Sequence, residues 1–218
     1  MVQHGQVLER MTLVRSGELV LEALYASGSR PSDPGLPVVL AGPHPRFGGS
    51  MDSPVLTELV WVLARAGRAT LRFNWRGVGA SQGASAVPPL PAEQPFLAVL
   101  EQQDLVAAID HHAVDGRCAL IGYSFGAAVA ASVAKSHPRV ARLALIAPLI
   151  DAMGFDWAAL DRSGVPTVVL CGELDRHSSP LAVQAACGER LPVQVISGAT
   201  HSFQRGLPEL ARVISAAI

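Results

Sequence analysis

Short apolar runs recur along the chain at Val38–Ala41, Ala69–Phe73, Cys118–Ile121, Val140–Ala147, Val165–Cys171 and Val193–Ile196. They are near-continuous in Val, Leu, Ile and Ala and lack the alternation of a half-exposed strand. That is the signature of strands covered on both faces of a parallel sheet. Longer segments with helical periodicity lie between them, at Pro54–Ala66, Glu93–His112, Phe125–His137, Pro180–Cys187 and Leu207–Ala217. Ahead of these comes a predicted hairpin, Val7–Val14 and Leu19–Tyr25, turning at Ser16-Gly17. Eight strands result. Strand–helix alternation demands right-handed crossovers, so the pattern predicts a mostly parallel sheet with helices on both faces, a single α/β domain over residues 1–218.

Composition narrows the function. Hydrophobic residues make up 50% of the 218 and charged residues 16%, enough to bury a core without staples. The net charge of −1 supplies no general attraction to nucleic acid or to an acidic membrane, and neither is an expected partner. Cys118, Cys171 and Cys187 are odd in number and widely spaced, which argues against a disulfide framework or a zinc site. No metal or cofactor is expected. The N-terminal Met1–Gln6 has neither the basic start nor the apolar run of a secretory leader, and no apolar run has membrane-spanning length. A cytoplasmic location is the expectation.

In sheets of this kind, sites form beyond the carboxyl ends of the strands. One such loop carries Gly122-Tyr123-Ser124-Phe125-Gly126, a G-x-S-x-G sequence between a strand and a helix. A serine on so sharp a bend presents its hydroxyl above the sheet, and the close approach of the chain leaves room only for glycine two residues to either side. A plain glycine-rich turn ending a strand is the competing account. A serine hydroxyl needs a base, and the base an orienting acid. Gly172-Glu173-Leu174-Asp175 and Ser197-Gly198-Ala199-Thr200-His201 each follow a buried run, downstream of Ser124 and in the order acid, then histidine. Ser124, Asp175 and His201 are therefore the expected catalytic set. His177 competes as base; Glu173 competes as orienter, with Asp151 and Asp156 behind it.

An oxyanion hole needs two backbone donors. One is expected from Phe125. The other falls in Gly42-Pro43-His44-Pro45, where proline leaves only Gly42 and His44 with N–H groups; the flanking prolines favour His44. Phe47, Trp75, Trp157 and Phe203 stand in site-side loops as candidate substrate contacts, with ordinary packing around the strand ends as the alternative for most. Arg46, Arg76, Arg176 and Arg205 do not converge in sequence on any site for a phosphate or carboxylate.

Together these residues resemble the α/β-hydrolase superfamily, and within it small lidless bacterial hydrolases of the dienelactone-hydrolase-like kind. The most specific stretches are Gly42-Pro43-His44-Pro45-Arg46-Phe47-Gly48-Gly49, Leu71 to Gly83, and the turn at Ser124. The resemblance implies the α/β-hydrolase fold without a separate lid domain, since Pro148–Gly164 is too short to form one. It also implies that Asn74 and Arg76 tie the loop after the fourth strand to its neighbours, with a catalytic arginine as the sharper alternative. Gly42 stands where relatives carry histidine, and serine stands where dienelactone hydrolases proper use cysteine. The implied activity is cleavage of a small carboxylic ester through an acyl-enzyme on Ser124. An acyltransferase or thioesterase using the same residues is the rival, and a non-catalytic binder a remoter one.

Overall fold

An eight-stranded sheet runs through the middle of the computed structural model, which describes residues 7–28, 35–90, 95–113, 116–150, 153, 156–189, 191 and 193–218. The strands are β1 (Glu9–Ser16), β2 (Leu19–Ala26), β3 (Val38–Ala41), β4 (Thr70–Phe73), β5 (Cys118–Tyr123), β6 (Val140–Ile146), β7 (Thr167–Gly172) and β8 (Val193–Ile196). Their spatial order is β1-β2-β4-β3-β5-β6-β7-β8. Only β2 is antiparallel to its neighbours; from β4 to β8 every pairing is parallel. This matches the expected architecture, and each predicted run became a strand with ends shifted by at most two residues.

The helices are α1 (Pro54–Arg65), α2 (Val99–His112), α3 (Phe125–Ala134), α4 (Trp157–Arg162), α5 (Pro180–Cys187) and α6 (Leu207–Ala217). Amphipathic α1 and α6 lay Leu56, Leu59, Leu63, Leu210 and Ile214 on one face of the sheet, against Val38, Leu40, Ile121 and Ile146. On the opposite face α2 to α5 bury Leu105, Ile109, Val129, Leu160 and Val183 against Val39, Leu71, Leu120 and Leu145. All ten residues of α3 are buried, which its alanine-rich sequence permits, since small side chains let the helix axis approach the sheet closely.

Two elements differ from the reading of the sequence. The helix expected from Glu93 begins only at Val99, because Pro95 disfavours helical backbone before it and Ala98 turns to φ 46°; residues 93 and 94 lie outside the described chain. The stretch Pro148–Gly164 holds α4, too short for its periodicity to register in sequence. Met153 in that stretch forms an isolated bridge with Phe96.

The chain winds outward from β3 in both directions, to β4 on one side and β5 on the other. Loops leaving the C-terminal ends of β3 and β5 consequently diverge and open a crevice between them. The first of these loops starts at Gly42, the second at Ser124.

Candidate active site

Ser124 occupies φ 58° and ψ −118°, a conformation L-residues rarely adopt and that costs of order 1–3 kcal/mol. What enforces it is the steric demand on both sides. A Cβ on Gly122 would lie 2.4 Å from the Gly126 carbonyl oxygen, and one on Gly126 would lie 2.3 Å from that of Ala41. Backbone meets backbone at both points, so only glycine fits. The Ser124 N–H is held by the Ile146 carbonyl at 2.8 Å.

The Ser124 Oγ lies 2.9 Å from His201 Nε2, and His201 Nδ1 lies 2.8 Å from Asp175 Oδ2. Asp175 Oδ1 accepts the backbone N–H groups of His177 (2.8 Å) and Ser178 (2.9 Å). Its side chain is fully buried. Burial pushes its pKa up, but the bond from His201, the Ser178 and His177 N–H groups and the histidine's charge together hold it below the ordinary carboxylate value. Ionised, Asp175 accepts from Nδ1–H, which leaves Nε2 as the unprotonated, accepting nitrogen facing the serine hydroxyl.

Three contacts invisible as sequence signals brace this arrangement. The Tyr123 hydroxyl donates to the His201 carbonyl at 2.9 Å, with its own pKa pushed up to about 12 by burial and by Asp175. Ser178 Oγ donates to the Ala147 carbonyl at 2.9 Å, pinning the Asp175 loop to the end of β6. Glu173 accepts from the Gly198 N–H (2.7 Å) and Ser197 Oγ (2.9 Å), so it buttresses the turn leading to His201 rather than touching the imidazole. Those bonds, from Gly198 first and Ser197 next, lower its pKa. His177 sets its ring edge-on to His201, 5.3 Å between centroids. Asp156 caps α4 and pairs with Arg162 at 2.9 Å; Asp151 lies outside the described residues.

The loop after β3 turns through a short 3₁₀ helix, Pro45–Phe47, with His44 as its cap. Nδ1 of His44 accepts the Arg46 N–H at 3.2 Å. Burial lowers the pKa of this imidazole; the Pro88 backbone opposes the shift without closing a hydrogen bond of regular geometry, and Arg46 adds to it. The ring is neutral and packs edge-on against Phe47 and Phe125, 5.0 Å from each. Because a Cβ on Gly126 would lie 2.3 and 2.4 Å from the carbonyl oxygens of Ala41 and Gly42, the N-terminus of α3 abuts this loop. The Phe125 N–H is among the first-turn donors that helix geometry leaves without an intrahelical acceptor.

A cavity of about 730 Å³ opens beside Ser124 and His201, walled by Pro43, Phe47, Pro54, Leu90, Leu149 and Tyr123, with His44 and His177 among its lining residues. A more open groove of about 980 Å³ lies between the β1–β2 turn, α2 and the end of α3, and contains none of Ser124, Asp175 and His201. Of the four aromatic residues expected to meet substrate, Phe47 lines the cavity and the other three do not. Trp75 is buried and donates its indole N–H to the carbonyls of Gly42 (3.1 Å) and Pro43 (3.2 Å), tying the β3 loop from beneath. Phe203 is fully buried and packs edge-on to Tyr123. Trp157 belongs to the core under α4. Large apolar area at the strand ends is worth more buried than exposed, which decides where these rings go.

Asn74 receives the Met51 N–H (2.8 Å) and donates to Glu22 (2.8 Å), while Arg76 makes a buried two-point pair with Asp104 at 2.6 and 2.9 Å. Both serve as loop ties away from the cavity wall. Among the described residues no group of three or more His, Cys, Asp or Glu side chains is placed to hold a metal ion, and no helix is long and apolar enough to cross a membrane.

Residues 48–158 match the family model described as serine aminopeptidase, S33. An α/β serine hydrolase homologue from Coxiella burnetii is 30% identical and superposes with a TM-score of 0.78, covering 96% of this chain and 97% of that one. A protein of Xanthomonas campestris, described as an α/β serine hydrolase without lid, is 25% identical with a TM-score of 0.76, covering 96% and 93%. An uncharacterized protein of Rickettsia prowazekii is 27% identical over 89% of this chain and 82% of its own length.

Proposed function

Because the chain belongs to the α/β-hydrolase superfamily of serine hydrolases, we propose that it cleaves neutral carboxylic esters through an acyl-enzyme on Ser124. The observation that carries this reading is the unbroken hydrogen-bonded series Ser124 Oγ, His201, Asp175 at the edge of an apolar cavity. Serine attack on the carbonyl carbon passes the hydroxyl proton to His201 Nε2, while Asp175 holds the tautomer and stabilises the imidazolium. The oxyanion forms beside the N-terminus of α3, where the Phe125 N–H and the N–H of His44 receive it. His201 then returns the proton to the leaving alkoxide. Water, deprotonated by the same nitrogen, adds to the acyl-enzyme, and as the bond to Ser124 Oγ breaks His201 returns that proton to it, releasing the acid and the free serine.

The described lining supports the ester reading: apart from Ser53, Tyr123, Ser124 and the histidines, its side chains are apolar.

The test is labelling with a fluorophosphonate, followed by mass mapping and by turnover of a short-chain p-nitrophenyl ester. The probe should modify Ser124 alone, and His201→Ala should abolish labelling while His177→Ala preserves it. Labelling at another residue, or survival of both activities in His201→Ala, removes the proposal.

A further inference from the structure

Among the described residues, no strand pairs with the outer edge of β1. In an antiparallel pair the N–H and C=O of one residue point to the same neighbour, and successive residues alternate sides. On β2, the Glu22 carbonyl accepts from the Asn74 N–H (2.9 Å), the Glu22 N–H donates to Ser81 Oγ (2.9 Å), and the Val20 carbonyl accepts from the Gln82 N–H (2.9 Å). The even-numbered residues of β2 therefore turn toward β4, and Leu21, Ala23 and Tyr25 turn toward their β1 partners Val14, Thr12 and Arg10. It follows that Glu9, Met11, Leu13 and Arg15 direct their backbone groups outward, past the last strand of the sheet.

The side chains of the same four residues share one face. Ser16 on the opposite face meets Asp104 of α2 at 2.8 Å, whereas Glu9 meets Arg72 at 2.6 Å on the α1 side. There Met11 is 71% and Leu13 60% exposed, and Arg15 makes no ion pair with any described residue. A long edge strand with an apolar exposed face invites pairing by another strand, a liability native proteins blunt with lysine, proline or a covering element. β1 contains neither lysine nor proline.

We propose that this edge pairs with a second copy of the chain, β1 against β1, in antiparallel register about a two-fold axis through Thr12. Only registers that set odd residues opposite odd residues bring the outward backbone groups together. Centring on Met11 would put Glu9 against Leu13, and centring on Leu13 would put Met11 against Arg15. Centring on Thr12 pairs Glu9 with Arg15 and Met11 with Leu13, each twice by symmetry. Charge meets opposite charge and apolar meets apolar, the cross-strand pairs that stabilise sheets. An isologous interface requires this self-complementarity. Glu9 keeps both its bonds to Arg72 and receives Arg15 of the second copy on its remaining lone pairs. The two sheets become one continuous sheet.

Light scattering on the eluting full chain should give twice the monomer mass. Arg15→Glu, which sets two carboxylates against each other, and the double variant M11K/L13K should each give the monomer mass with thermal unfolding unchanged in its cooperativity. The on-axis residue supplies a register-specific check. Directly opposed residues of a non-hydrogen-bonded pair lie about 4.5 Å apart between Cα atoms, within disulfide reach, so Thr12→Cys should cross-link two copies under mild oxidation while Arg10→Cys should not. A monomeric wild type, a dimer that survives both R15E and M11K/L13K, or cross-linking of R10C as readily as T12C would each overturn the proposal.

Discussion

Replacing Ser124 by alanine and, separately, by glycine isolates the backbone strain at the nucleophile turn. Both variants lose the hydroxyl and its bond to His201, so that term cancels between them. What differs is the backbone. Alanine must still adopt φ 58° and ψ −118°, at a cost of about 1–3 kcal/mol, whereas glycine enters that region freely. Against this, glycine gives the unfolded chain more entropy, worth about 0.5–1 kcal/mol. The glycine variant should therefore be the more stable by about 1 kcal/mol, which in a chain of this size is a difference of about 2–4 °C in Tm. Calorimetry or urea unfolding of the two proteins side by side measures it, and both should be inactive toward esters. At an ordinary position the order reverses. If the alanine variant proves the more stable by that familiar margin, the turn is not strained and the argument from Gly122 and Gly126 loses its basis.

Asp175→Asn keeps an oxygen for the His177 and Ser178 N–H groups but turns an amide N–H₂ toward His201, favouring the wrong tautomer; kcat should fall on the order of 10⁴-fold with KM and Tm little moved, and a loss of less than tenfold would contradict the assigned orientation. Gly126→Ala drives a methyl to 2.3 Å from the Ala41 carbonyl oxygen and should cost at least about 1–3 kcal/mol as well as most esterase activity, readable by urea midpoint and turnover. Acid stability follows from His44, His112 and His137, whose pKa values are all lowered from 6.5, chiefly by burial. Between those depressed folded values and 6.5 the unfolded chain binds more protons, so stability falls as pH drops below 6.5, with each histidine contributing at most about 1.4 kcal/mol per pH unit. Urea midpoints from pH 7 to 5 should decline, less steeply in His112→Gln, and a flat profile would refute the sign.

Sheet and crevice were legible because buried parallel strands write themselves as unbroken apolar runs, and because loops at one end of such runs must share a rim. Ser124, Asp175 and His201 each directly follow one of those runs, and the structure brings them within hydrogen-bond distance. Side-chain direction was not legible. Trp75, Trp157 and Phe203 occupy the right loops, but residue type does not say whether a ring points to the cavity or into the core beneath it. Glu173 and Asp175 sit two apart on one turn, and only their partners separate their roles: Ser197 and Gly198 for Glu173, His201 for Asp175. Tyr123 holds a variable position of the serine motif, so its bond to the His201 carbonyl had no signal of its own. The late start of α2 came from Pro95, a local veto inside a segment whose overall pattern is helical.

The burial of every residue of α3 divides the molecule into parts with different freedom to vary. Under the nucleophile no side chain can grow without displacing the sheet, and the glycines flanking it cannot change at all. Phe47, Leu90 and Leu149 hang from connecting segments and Pro54 opens α1, so all four cavity-wall positions lie outside α3. New substrate preferences can thus arise by exchanging those few rim positions while the reacting groups stay where they are.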